Sequence, residues 1–243
     1  MSNTIWHGDC VKFVHQLRPV KCIIADPPDN LDLGYDGFTD FNPDYYGWLG
    51  SLIRASVERC DHFWLSYYHA HDLAISSIVY DVVRRKGLDW HKYLWRFTFG
   101  QHKETDCGSG YRTILRLSQP SQPLNTSAVR VPSLRQTLYN DPRANPAGRV
   151  PDDVWEFPRV TGNSHERRAW HPTQHPVAVY SRILRLSTAP GDKVVDLFAG
   201  TGTLFRANHS YKLSERRECS AVDISIKYCQ EIAKEHQLEI KTI

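Results

Sequence analysis

Chemistry in this chain is concentrated in four short runs. The first, Cys22 to Asp29, sets the apolar residues Ile23, Ile24 and Ala25 directly against Asp26, Pro27, Pro28 and Asp29. A short apolar run broken in this way reads as a buried parallel strand stopped at its carboxyl end, which is where open α/β sheets bind ligands. Two consecutive prolines fix φ and remove two amide donors, so the loop presents acceptors: the Asp26 carboxylate and the carbonyls beside it. A carboxylate next to a carbonyl suits a group bringing two N–H donors, such as the exocyclic amine of adenine or cytosine. Accepting both hydrogens would localise the nitrogen lone pair and make it a nucleophile. The plain alternative is a Pro-Pro turn capping a strand, with Asp26 as an N-cap.

The second run carries Val194 and Val195 into Asp196, Leu197, Phe198, Ala199, Gly200, Thr201, Gly202 and Thr203. An apolar strand entering a Gly-x-Gly turn and a helix lets backbone approach a ligand closely. Asp223, at the end of a strand over Ser220 to Asp223, is placed to accept hydrogen bonds from both hydroxyls of a ribose. A nicotinamide dehydrogenase fits less well: the third glycine of G-x-G-x-x-G falls at Phe205, and an aromatic there suits a cofactor without a pyrophosphate. In the third run, Gly8-Asp9 puts a carboxylate either in the same crevice or at a helix N-cap. The fourth is His171-Pro172-Thr173-Gln174-His175-Pro176.

Periodicity supplies the elements that position these runs. Thr4 to His7, a helix over Val11 to Leu17 and the Cys22 strand read as one β-α-β unit. Leu31 to Asn42, rich in Gly and Asp with Tyr35 and Phe38, reads as a mobile loop over the site. Helices are predicted over Tyr45 to Cys60, Leu73 to Arg85 and Val177 to Ser187, a strand over Phe63 to Tyr67, and an antiparallel pair over Trp90 to Phe99 and Tyr111 to Leu117. Between Ser118 and Trp155 periodicity disappears, as in long loops that carry function or lack order. The organisation is one compact domain in three parts: 1–117 around the D-P-P loop, an irregular reading segment 118–168, and 169–243 around the Gly-x-Gly turn.

Composition narrows the class. With 243 residues and 41% hydrophobic content the chain can bury one good core. No apolar run approaches the ~20 residues that cross a bilayer, and the opening residues lack the basic and apolar regions of a leader, so a cytoplasmic protein is expected. Six cysteines without a C-x-x-C pair indicate reduced thiols, neither a disulfide framework nor a metal site. The net charge of +3 is small, but from Arg130 to Arg185 there are nine arginines, no lysine and five acids. Arginine without lysine favours bidentate contacts to phosphates and guanine edges, so Arg130, Arg135, Arg143, Arg149, Arg167 and Arg168 are the candidate DNA contacts. A solvated loop pairing with its own acids is the alternative.

The D-P-P loop, the irregular segment with Val154-Trp155-Glu156-Phe157-Pro158, the H-P-T-Q-x-P run and D-x-F-A-G-x-G-T, in that order, resemble the beta class of S-adenosylmethionine-dependent DNA amino-methyltransferases, including solitary phage and bacterial members. The resemblance runs from about Ile5 to Ala233. It implies an α/β fold: a doubly wound, circularly permuted Rossmann-like methyltransferase sheet with an inserted target-recognition segment. The strands ending at Gly8-Asp9 and Asp26-Pro27 would be third and fourth in a sheet whose first is Val194 to Phe198. It further implies that Asp196, Phe198, Ala199, Gly200, Gly202 and Thr203 line a pocket for S-adenosylmethionine. Asp223 would hold the ribose, Asp9 would lie near the adenine, and His171, Pro172, Thr173 and Gln174 would enclose the methionine part. Asp26, with the Pro27 carbonyl in the loop Asp26-Pro27-Pro28-Asp29, would bind the target amine of a flipped base in double-stranded DNA.

Members with Asp at the first loop position mostly act on adenine N6, so adenine is favoured over cytosine N4. Two residues depart from the family pattern. Asp29 stands where an aromatic usually stacks on the base, an interaction worth roughly 1–3 kcal/mol, and His175 stands where Lys is usual. A second carboxylate beside Asp26 is expected to raise one of the two pKa values or push the side chains apart. Tyr35 or Phe38 supplies the stack instead, or the protein binds DNA and cofactor with little or no turnover, or Asp29 is an engineered change that traps a complex. If a missing stack is the defect, Asp29→Tyr raises turnover. Methylation of RNA or of a protein glutamine is a rival, the arginines speaking against glutamine. Carbon-5 cytosine chemistry is rejected, because none of the cysteines follows a proline as that family's nucleophile commonly does. A monomer and a homodimer are both compatible with the chain, as is a restriction-modification role.

Overall fold

The structure, a computed structural model, describes residues 3–101 and 103–243; Met1 and Ser2, part of the opening read for a leader, lie outside it. Among the described residues one sheet of nine strands forms: β1 (Thr4–His7), β2 (Val20–Ala25), β3 (Cys60–Tyr67), β4 (Asp89–Gln101), β5 (Ser109–Ser118), β6 (Val154–Glu156), β7 (Lys193–Asp196), β8 (Glu218–Asp223) and β9 (Glu239–Thr242). The helices are α1 (Cys10–Gln16), α2 (Tyr45–Val57), α3 (Asp72–Lys86), the single turn α4 (Leu134–Thr137), α5 (Val177–Ser187), α6 (Thr203–His209) and α7 (Ile226–His236). None of them is long and apolar enough to cross a membrane.

Strand order is β6-β4-β5-β3-β2-β7-β8-β1-β9. Neighbours from β3 to β9 run parallel, β5 is antiparallel to both β3 and β4, and β6 is parallel to β4. Val194, Val195, Cys219, Ala221 and Val222 are buried on both faces of the sheet, which only central positions allow. Helices α5, α6 and α7 cover one face, and α1, α2 and α3 the other.

That demand corrects the expected first β-α-β unit. β1 and β2 follow each other in the chain and share a direction, but β7 and β8 sit between them. Ile23 pairs with Val195, and Ile5 with Ala221. The strands ending at Gly8 and Asp26 therefore flank the two late strands, in the order the resemblance implies.

Boundaries moved where polar residues hide burial. The helix expected to reach Cys60 stops at Val57, and β3 starts at Cys60 because His62, only 1% exposed, belongs to the strand. β9 was not anticipated; its Glu-Ile-Lys-Thr alternation is that of an edge strand whose charges face water. The irregular segment contributes β6 to the sheet edge. There Trp155, 1% exposed, packs against Tyr93 at 4.9 Å and Trp64 at 5.9 Å between ring centroids, with the Arg182 guanidinium over its face. The Asn125 amide donates to the Leu186 carbonyl at 2.8 Å, joining the segment's start to the end of α5.

Trp155 thus anchors the irregular segment to the core. Trp155→Ala is expected to lower the unfolding free energy by about 3–5 kcal/mol, the usual cost of emptying a buried aromatic site. Urea denaturation measures this, and a loss below ~1 kcal/mol would mean that the ring is not the anchor.

Candidate active site

The carboxyl ends of β1, β2, β7 and β8 meet around a cavity of about 510 Å³. Asp9, the whole Asp26-Pro27-Pro28-Asp29 loop, His171 through His175, Phe198, Ala199, Gly200, Thr203 and Asp223 all line it. Residues from the first and last thirds of the chain are thereby brought together. Asp9 fills both roles read from the sequence: its Oδ1 accepts from the Lys12 amide at 2.8 Å as the N-cap of α1, and it also faces the cavity.

Two expected lining residues do not reach it. Asp196, 1% exposed, lies beneath the end of β7, where Oδ1 accepts from the Phe198 amide at 3.1 Å. Tyr180 lies beside its carboxyl group, and burial pushes its pKa well up. Gly202 begins α6 at φ +77°, and a Cβ there would come within 3.2 Å of Ile232, so this glycine serves packing against α7. Gly200, at φ +51°, faces the cavity opposite His171.

Asp223 lines the cavity while its oxygens accept the amides of Gly200 and Ser225, each at 2.9 Å. Burial nevertheless pushes its pKa up to about 6. Its pairing with Gly200, together with the Ala199 amide donating to the Val222 carbonyl at 2.9 Å, ties the Gly-x-Gly turn to β8.

The Asp26–Asp29 loop is held from every side. The Tyr45 hydroxyl donates to the Pro28 carbonyl at 2.9 Å, and His71 bridges the Asp29 carbonyl at 2.7 Å and the Tyr46 hydroxyl at 2.9 Å. Sequence spacing gave no sign of Arg112, at the cavity end of β5. Its Nη2 donates to Asp26 Oδ1 at 2.8 Å and to Asp29 Oδ1 at 3.0 Å, its Nη1 to Asp29 Oδ2 at 2.6 Å, and its Nε to Ser66 Oγ at 2.7 Å. His175 Nε2 lies 3.4 Å from Asp26 Oδ2 and 3.3 Å from Ser66 Oγ.

The expected repulsion between Asp26 and Asp29 does not arise, because one guanidinium stands between them. Desolvation works to raise the Asp26 pKa, but His175 and Arg112 bring it below the ordinary carboxylate value. Burial pushes the His175 imidazole down, so the positive charge acting on Asp26 at neutral pH is that of Arg112.

Leu31 to Asn42 folds over the cavity, as its composition suggested. Asp40 accepts the amides of Leu31 and Leu33, and Asp36 fastens the loop to α7, accepting from Ser225 Oγ at 2.9 Å and donating its own amide to the Tyr228 hydroxyl at 3.1 Å. Tyr35 and Phe38 stack on each other at 5.5 Å, and Tyr35 meets His171 edge-on at 5.7 Å. Both rings line the cavity, Tyr35 within the field of Asp40, Asp26 and Asp29.

Most of the candidate arginines are already engaged. Arg130 donates to the Gly148 carbonyl at 2.6 Å, Arg143 pairs with Asp141, Arg149 with Asp152, and Arg168 with Glu235 at 2.6 Å. Arg135 and Arg167 form no ion pair among the described residues. Among them, the arginine between residues 130 and 168 that lines the cavity is Arg159, which was not singled out; its guanidinium lies 5.1 Å from the centroid of Phe97.

Comparison with known proteins agrees with this arrangement. Residues 20–235 match the profile of the N6/N4 methyltransferase family, described as DNA methylase. The chain is 30% identical over 224 residues to the type II methyltransferase M.HpaI of Haemophilus parainfluenzae, covering 89% of this chain and 67% of that one. It is 28% identical over 241 residues to the DNA adenine methyltransferase YhdJ of Escherichia coli (strain K12), covering 93% of this chain and 80% of that one. Among solved structures, the cytosine-N4-specific PvuII DNA methyltransferase superposes with a TM-score of 0.72 at 14% identity, over 96% of this chain and 86% of that one. With the profile spanning most of the chain and both of its signature loops meeting in one cavity, the chain belongs to the family of N6-adenine/N4-cytosine DNA methyltransferases.

Proposed function

We propose that the chain transfers a methyl group from S-adenosylmethionine to the N6 amine of an adenine flipped out of double-stranded DNA. The observation that carries this reading is the place of Asp26. In the strand order, β7, β8 and β1 lie on one side of it and β3, β5 and β4 on the other. The first side brings Phe198, Gly200, Asp223 and Asp9 to the cavity; the second brings Trp95, Phe97, Tyr111 and Arg112, with Arg159 above Phe97.

The first side fits the cofactor. Each Asp223 oxygen takes one backbone amide and keeps a second lone pair for a ribose hydroxyl. Gly200 leaves open the space a side chain would fill beside His171. Phe198, Ala199 and Thr203 would border the cofactor, Asp9 would meet its adenine, and His171, Pro172, Thr173 and Gln174 would enclose its methionine end. When bound, S-adenosylmethionine supplies a methyl group activated by a sulfonium.

The chain's own residues do the rest by positioning and electrostatics. Asp26 and the Pro27 carbonyl accept the two hydrogens of the target amine, which aims its lone pair toward the cofactor side. Pro28 and Asp29, held by Tyr45, His71, Tyr68 and Arg112, fix the loop that presents those acceptors. Phe97 with the Arg159 guanidinium offers a planar surface to a base, and Arg135 and Arg167 are available to phosphates. Adenine is preferred because Asp26 occupies the first loop position and YhdJ is a DNA adenine methyltransferase.

The direct test is incubation with labelled S-adenosylmethionine and unmethylated DNA, digestion to nucleosides and mass spectrometry. Label in N6-methyladenine is expected. Label in N4-methylcytosine would reassign the base, and absence of label would sink the reading. Arg159→Ala is expected to raise KM for DNA about tenfold, within the roughly 1–3 kcal/mol of a base stack, with kcat little changed; an unaltered KM would remove the Phe97–Arg159 platform from the reading.

Asp223 gives a pH signature. Its pKa of about 6 lies above the ordinary value, so the carboxylate that accepts the ribose hydroxyls is present above that pH and lost below it. Cofactor affinity should therefore fall as pH drops through about 6, and binding near that pH should release protons. Calorimetry in buffers of different ionisation enthalpy measures both, and Asp223→Asn should abolish the pH dependence along with most of the affinity.

A further inference from the structure

We propose that Asp29 and Arg112 form one positioning unit that holds Asp26 as an oriented, charged acceptor; the role given to Asp26 rests on the methyl-transfer reading above. All three guanidinium nitrogens of Arg112 are engaged, Nε by Ser66, Nη1 by Asp29, and Nη2 by both Asp29 and Asp26. A planar group tied at all three nitrogens cannot turn, so it fixes the position of Asp26 Oδ1. Asp29 is tied in turn, its Oδ1 accepting the Tyr68 amide at 3.1 Å and its carbonyl bridged by His71.

Charge completes the argument. The titratable groups facing Asp26 are Arg112, Asp29, His171, His175, Tyr35, Tyr45, Tyr180 and Asp196. Burial pushes both histidines down and the three tyrosines and Asp196 up. At neutral pH the charges beside Asp26 are therefore those of Arg112 and Asp29. Two carboxylates and one guanidinium leave a single net negative charge for the incoming amine. With an uncharged ring at position 29, Arg112 would pair with Asp26 alone and neutralise the acceptor. Asp29 is thus the counter-charge that allows an arginine beside Asp26, and the departure from an aromatic is compensated within the same site. Asp29→Tyr should lower turnover, opposite to the expectation from a missing stack.

The test compares the parent with Arg112→Gln, Arg112→Lys, Asp29→Asn, Asp29→Tyr and the double variant Asp29→Asn/Arg112→Gln. For Arg112→Gln, kcat is expected to fall at least 100-fold with KM for DNA within threefold, and the acid limb of the rate profile to move up by a pH unit or more. The double variant should recover at least tenfold of that loss by removing the second unpaired acid, and Arg112→Lys should recover part of it. A double variant no faster than Arg112→Gln, or an Asp29→Tyr variant as fast as the parent, would overturn the proposal.

Melting temperature against pH, without substrate or cofactor, supplies a readout independent of turnover. Without the guanidinium the two carboxylates raise each other's pKa, so the Arg112→Gln variant should be less stable than the parent at pH 8, with the gap narrowing as they protonate toward pH 5. A gap that does not change with pH refutes the charge unit. If the parent itself transfers no methyl group to DNA, the methyl-transfer reading falls while the melting curves still decide the network.

Discussion

One guanidinium shared by two carboxylates sets the geometry of the site. Charges taken out of water are tolerated only where partners and hydrogen bonds replace the lost hydration, and removing one partner leaves an uncompensated ion in the cleft. Arg112, Asp26 and Asp29 meet that condition together and not pairwise, since Arg112 needs Ser66 for its Nε and Asp29 needs the Tyr68 amide. The loop that carries the two prolines therefore has its shape dictated from β5, a strand more than eighty residues away in sequence. Antiparallel pairing of β5 with β3 sets Thr113 opposite Tyr67, which brings Arg112 beside the chain just past β3.

The same dependence on distant parts appears in the sheet. β7 and β8 lie between β2 and β1 in the sheet, and among the described strands β9 alone follows them in the chain. Together they bridge β2 to β1, so the cavity between the ends of those two strands needs both in place. Contacts of such high sequence separation are slow to form. The arrangement also explains why the two signature loops need no direct bond. The register of Ile24 with Asp196, and of Asp196 with Ala221, aligns all three strand ends at one level.

The parts legible in the sequence were those whose signal is local. An apolar run halted by Asp26-Pro27-Pro28, a strand entering Gly200-Thr201-Gly202, and the acid ending at Asp223 each declare themselves within a dozen residues. What escaped depends on register. Arg112 sits in a strand reading Tyr-Arg-Thr-Ile-Leu-Arg-Leu, where an arginine looks like an outward-facing residue; its inward role follows only once Trp95 stands opposite it across the β4–β5 pair. Asp196 shows the converse error. Its motif points to a ligand, but its place on the α5 face of β7 puts Tyr180 and solid packing over it. Counting arginines also misleads, since several of those in the reading segment are spent on acids or carbonyls of their own neighbourhood.

If Asp29 is consumed by Arg112, the ring surface for a base has to come from elsewhere, and the fold narrows the choice. Tyr35 and Phe38 stack on each other, and Tyr35 meets His171 edge-on. Another wall of the cavity is built by β4 and β5. Trp95 is 3% exposed and already bound, its indole donating to the Phe157 carbonyl at 2.9 Å and its ring meeting His175 edge-on. Phe97, two residues further along the same face and capped by Arg159, borders the cavity, as does Tyr111. Trp95 and Arg112 are directly paired across the strands, so the residues that would hold the base and those that hold the acceptor are cross-strand neighbours on one face. A slip of β4 by one residue in that register would turn Trp95 and Phe97 away from the cavity, while Arg112 stayed in place through the pairing of β5 with β3. On the proposed reading, the place of the base would depend on the pairing of β4 with β5, and β6, which carries Trp155, packs along the outer edge of that pair.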